Sequence, residues 1–226
     1  MNRDGNTSAT FPHGFRMISG DNSRRNLSIP VPDPPTSAWT AADMSEDALR
    51  QKAIGFNCLG SQPAEGSLER HRLPDRSFVN THCPGGIRLE LMFPSCWDGS
   101  HVDSSDHRSH VAFPSLVHDG RCPDGFPRRL PTLLYEIAWD TTAFGNVTGD
   151  FVLANGDQSG VSYHGDFMSG WDPAFLRTAG ETCLDPSGEI QECTPFSLGS
   201  QACTFPLPID IASEDVVGPR LGLPGL

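Results

Sequence analysis

The chain has 226 residues, a length that suits one domain, or a small two-layer architecture, built on a single core. A hydrophobic share of 37 % with 23 glycines and 20 prolines excludes a bundle of long helices and argues for loops and short strands. A formal net charge of −12 repels polyanions, which argues against nucleic acid as a partner, and no apolar run is long enough to span a membrane.

In chain order, the first ten residues are polar and lack the apolar stretch of a signal peptide. Gly20 to Pro35 is crowded with turn formers and proline, so it is expected to be irregular or extended. Ser45 to Ala53 reads as a helix: Ser45 can cap it, acids fill its first turn, Arg50 and Lys52 suit its end, and Gly55 stops it. Ile87 to Phe93 alternates with period two, which sets Ile87, Leu89, Leu91 and Phe93 against Arg88, Glu90 and Met92 and predicts a strand. Leu130 to Trp139 reads as a second strand, with Glu136 on a solvated face and Arg88 as its partner across the sheet. Phe151 to Ala154 reads as a short third strand ending in the Asn155-Gly156 turn, and Ser169 to Ala179 as a short helix beginning after Pro173. The expected fold is mainly β, a sandwich or jelly-roll-like pair of sheets with long disulfide-tied loops and one or two short helices; α+β is the alternative. Residues 11–200 read as one secreted-type domain and 201–226 as a C-terminal tail.

Seven cysteines occur, none in a CxxC pair, a distribution that favours disulfides over structural zinc or a dithiol redox site. Pairing nearest neighbours predicts Cys58–Cys83, Cys96–Cys122 and Cys183–Cys193, with Cys203 left odd. Sequons at Asn6, Asn26 and Asn146 agree with an extracellular glycoprotein.

Two segments concentrate reactive side chains. One runs from Cys96 to His110 and the other from Asn155 to Trp171, each following a predicted strand. Asp98, Asp103, Asp106 and Asp166 supply carboxyl groups of the kind that work in pairs across a glycosidic bond. Trp97, Tyr163 and Trp171 stand beside them as stacking faces for sugar rings. The same segments carry His107, His110 and His164, which could instead hold a divalent metal through three ring nitrogens. The structural alternative is that these acids and imidazoles only fix loop geometry. The sequence contains no GxSxG, no P-loop and no GxGxxG that opens a helix.

Taken together, Gly14-Phe-Arg-Met17, Asn57-Cys-Leu59, Cys83-Pro-Gly-Gly-Ile-Arg88, Phe93-Pro-Ser-Cys-Trp-Asp-Gly99, the Asp103 to Ala112 run, Cys122-Pro123, Tyr135-Glu136, Asn155-Gly-Asp157 and Tyr163-His-Gly-Asp-Phe167 carry a resemblance. The chain resembles a fungal secreted family known as a domain of unknown function, number nineteen ninety-six, over about Phe11 to Phe196. The resemblance implies an extracellular protein, in some members joined to cell-wall-binding WSC modules. It also implies that a family segment preceding the GFRM motif is missing here, which would account for the odd cysteine and the absent secretion signal. The expected function is binding to, or action on, cell-wall or biomass polysaccharide through the 97–110 and 157–171 loops. A divalent-metal protein and a non-catalytic wall component are the alternatives.

Overall fold

The computed structural model describes residues 9–197 and 199. Asn6, Cys203 and the 201–226 tail lie outside them. Contacts divide the chain into one unit ending at Gly180 and a second beginning at Glu181.

The first unit is mainly β, with its strands in three small antiparallel sheets. Strand β1 (Arg16–Gly20) is followed by helix α1 (Glu46–Lys52), strand β2 (Ile54–Cys58), helix α2 (Arg76–His82) and strand β3 (Ile87–Met92). The two-residue strands β4 (Cys96–Trp97), β5 (Val111–Ala112) and β6 (Arg128–Arg129) come next, then β7 (Leu134–Trp139), β8 (His164–Met168) and helix α3 (Pro173–Thr182). The sheet orders are β2-β3-β7, β5-β4-β6 and β1-β8.

Local chemistry explains the elements. Ser45 caps α1 by accepting from the Ala48 amide at 3.3 Å, and Asp75 caps α2 by accepting from the Phe78 amide at 2.8 Å. Phe15, Met17, Phe56, Leu91 and Phe93 form the main core, and Leu49, Ala53, Met92, Phe113 and Val117 form a second cluster on the far side of β3. Long loops are tied by disulfides: Cys58–Cys83 and Cys96–Cys122 in the first unit and Cys183–Cys193 in the second, the three pairs that nearest-neighbour spacing predicts.

Several elements differ from the sequence-based expectation. Phe151 to Ala154 is not a strand; it runs irregularly beside β7 into the Asn155-Gly156 turn. Gly55 does more than end a helix, because it lies inside β2 opposite Glu90, where a Cβ would stand 2.5 Å from the Glu90 carboxylate. Glu90 and Met92, which alternation sets on the face opposite Ile87, Leu89 and Leu91, are both buried, Glu90 at 0 % exposure. The 65–70 segment and α1 cover that face. Glu90 accepts there from Asn57 Nδ2 at 2.7 Å and from the Leu68 amide at 2.5 Å, with Arg88 Nη2 at 2.6 Å. Arg88 also reaches Glu136 at 3.2 Å, the cross-sheet pairing that the sequence suggested.

Candidate functional site

Strand β1 organises both polar segments. Its Arg16 and Ile18 amides donate to the carbonyls of Val102 and His107, each at 2.9 Å, while its other edge pairs with β8 from Arg16↔Met168 to Gly20↔His164. The 97–110 loop and the His164–Met168 strand therefore flank one strand. They stand about 9–10 Å apart, two strand spacings.

Within the first segment each acid serves its own loop. Asp98 lies 2.6 Å from His101 Nδ1 and accepts from the Ser100 and His101 amides. Asp103 lies 2.6 Å from His107 Nδ1, and Asp106 accepts from Ser104, Ser109 and the Arg108 amide. The hydrogen bond from His107 holds Asp103 below the usual carboxylate range, and the Ser109 hydroxyl and amide hold Asp106 far below it. For Asp98, partial burial acts upward, but the His101 and Ser100 bonds outweigh it. A glycosidase acid must keep its proton near neutral pH, which runs opposite to all three shifts. Asp166 is exposed on β8 and pairs in register with Ile18.

The three histidines have separate partners. His110 is buried, donating from Nε2 to the Arg16 carbonyl at 2.7 Å with Nδ1 2.9 Å from Ser104 Oγ. His107 pairs with Asp103, and His164 donates from Nδ1 to the Ser162 carbonyl at 3.0 Å. Among the described residues, no group of three or more His, Cys, Asp or Glu side chains is placed to hold a metal ion. Trp97 packs edge-on against Phe15, with Nε1 donating to the His101 carbonyl, and Trp171 stacks on Phe175 at 6.0 Å.

A large concavity among the described residues lies elsewhere and takes in only Tyr163 and His164 from the sequence-derived set. A groove of about 760 Å³ runs along the 140–155 segment and the face of β3 and β7 that carries Ile87, Leu89, Ile137 and Trp139. Ile137, Trp139, Phe144 and Val152 line it and remain exposed, Trp139 to 56 %. Polar groups stand among them: Asp140, Asp150, Asn155 and Arg76. Arg76 fixes one wall by donating to the carbonyls of Phe144, Gly145 and Gly149 at 2.9–3.1 Å. Asn146, one of the sequons, is exposed in that same 144–149 stretch. Trp139 and Phe144 are absent from the sequence-derived candidates because Trp139 falls at the end of the predicted strand Leu130 to Trp139, outside the two segments rich in acids and imidazoles. The available signal was an aromatic pair bracketing an Asp-Thr-Thr turn directly after a strand.

Fold and groove together define a disulfide-tied, mainly antiparallel β protein with one large, aromatic-walled concavity on its first unit. The chain belongs to the family described as a domain of unknown function, DUF1996, which matches residues 1–171 and so takes in the whole of this groove. That match begins earlier and ends earlier than the span read from the motifs. No curated protein and no solved structure matches the chain. Among the described residues, no helix is long and apolar enough to cross a membrane.

Proposed function

We propose that this chain is an extracellular protein that binds cell-wall or biomass polysaccharide in the groove beside β7. The observation that carries the reading is the exposure of Trp139 and Phe144 on one concave surface with Tyr163. Soluble proteins seldom leave large aromatic side chains grouped in a groove without a ligand for them. Sugar rings present apolar C–H faces to aromatic planes and hydroxyls to polar groups at the edges, and Asp140, Asp150, Asn155 and Arg76 supply such groups here. The three disulfides support an oxidising, extracellular setting. Binding is favoured over hydrolysis because Asp98, Asp103 and Asp106 are engaged as ionised caps of their own loop. In this reading the 97–110 loop is scaffold, and Tyr163 and His164 are the groove residues of the second segment.

The experiment is a depletion assay with the full chain against insoluble β-glucan, chitin, cellulose and mannan. Retention on at least one polymer, competed by soluble fragments of it, is expected. Uniform failure to bind across the panel would contradict the proposal.

A further inference from the structure

Lys52, the last residue of α1, is only 1 % exposed, although a lysine ammonium ordinarily reaches water. Its Nζ pairs with Asp33 Oδ1, stands 3.7 Å from Asp43 Oδ1 and lies 4.2 Å from the centre of the Trp39 ring. Asp33 and Asp43 are themselves mostly enclosed, at 17 % and 13 %. A second buried group faces the same carboxylate. His71, 3 % exposed, donates from Nδ1 to the Ile54 carbonyl at 2.7 Å, which turns Nε2 toward Asp33 Oδ2 at 3.7 Å. That nitrogen has no hydrogen-bond partner. Burial foremost holds His71 below the ordinary histidine range, and the neighbouring Lys52 charge acts in the same direction, so the ring is neutral with its Nε2 lone pair free.

This is a costly way to hold an ion pair. Both charges lose their hydration, and their mutual attraction repays that loss only with ideal surroundings. Once its proton has passed to a neighbouring carboxylate, a lysine amine held this close to a carboxyl carbon is a nucleophile aimed at it. Joining the two groups as an amide removes both charges and the desolvation cost together. It also explains why two proton carriers, Asp43 and His71, converge on a lysine and a carboxylate that do not line the groove.

We propose that Lys52 and Asp33 are joined by an intramolecular isopeptide bond. The neutral Nζ of Lys52 attacks Cγ of Asp33, an N–C bond forms and one C–O bond breaks. The two protons shed by the nitrogen end on the departing oxygen, relayed by the Asp43 carboxylate beside Nζ and by His71 Nε2 beside Oδ2. Ammonium and carboxylate thus become amide plus one water, both relays are restored, and no oxidant, reductant or cofactor is required. The bond would fix the 33–43 segment to the end of α1. It is independent of what the groove binds.

The test is the intact mass of the full chain, reduced and denatured, followed by a tryptic map. The expected mass is lower by one water than the reduced sequence. Cleavage after Arg25, Arg50 and Arg70 should then release 26–50 and 51–70 as one branched species, uncut at Lys52. Asp-Gly sites such as Asp98-Gly99 can also lose water by forming a cyclic imide; that product reopens in mild base, whereas the amide does not. Lys52→Arg should restore the full mass, and Asp43→Asn should leave most of the chain uncondensed. If a variant does not fold, the wild-type map still decides. An unshifted wild-type mass, or a water loss located anywhere other than 33 and 52, overturns the proposal.

Discussion

Gly20 faces His164 across the β1–β8 pair so closely that a Cβ on Gly20 would stand 2.1 Å from the Tyr163 carbonyl oxygen and 2.7 Å from His164 Cα. Its φ of +78° is also a backbone conformation that side-chain-bearing residues avoid. Strand β8 can therefore close on β1, and position Tyr163 and His164 at the groove, only because residue 20 is glycine. Gly20→Ala is expected to destabilise the fold by about 2–3 kcal/mol. Urea unfolding of both proteins, read at the transition midpoint, checks this.

Asp157 anchors the turn that leads into β8. Burial alone would raise its pKa, but the hydroxyls and amides of Ser159 and Ser162, all at 2.6–2.9 Å, lower it to about 2 from 3.8. A depressed carboxylate stabilises the native state fully above its unfolded pKa and loses that contribution as pH falls from about 4 through about 2. Asp157→Asn is expected to cost about 2 kcal/mol at neutral pH, and the gap from wild type should shrink on acidification across that window. Denaturation curves at a series of pH values measure both the cost and its sign.

Cys96 is fully buried in β4, and its bond to Cys122 closes the loop that carries Asp98, Asp103 and Asp106. Replacing both cysteines with serine is expected to cost about 2–4 kcal/mol. Amide exchange should accelerate in residues 97–121, where much of the structure is local turns. The groove lies outside that loop, so glycan retention by the folded fraction is expected to persist.

The parts of the fold carried by short-range chemistry were legible. Ser45 and the acids after it marked α1, the alternation of Ile87, Leu89 and Leu91 marked β3, and cysteine spacing matched all three disulfides. The parts carried by long-range pairing were not. Arg-Met-Ile-Ser-Gly and His-Gly-Asp-Phe-Met are too short and too rich in glycine and charge to read as strands; they become β1 and β8 only by pairing across more than a hundred residues. The burial of Glu90 was not legible because the 65–70 segment that covers it shows no periodic pattern. The candidate site was half legible for the same reason. Tyr163 and His164 were marked by their neighbours, whereas Trp139 is distinguished only by the face of β7 on which it falls.

The central claim, that the groove beside β7 is the glycan-binding surface, is tested most directly by a binding isotherm on the retained polymer. Wild type would be compared with Trp139→Ala and Trp171→Ala, both confirmed folded by thermal unfolding. Trp139 lines the groove, whereas Trp171 stacks on Phe175 outside it. Truncating a central aromatic contact commonly removes 2 kcal/mol or more, so Trp139→Ala should weaken binding by roughly thirtyfold or more. Trp171→Ala should bind as wild type does. Unchanged affinity in Trp139→Ala, or a loss confined to Trp171→Ala, would contradict the account.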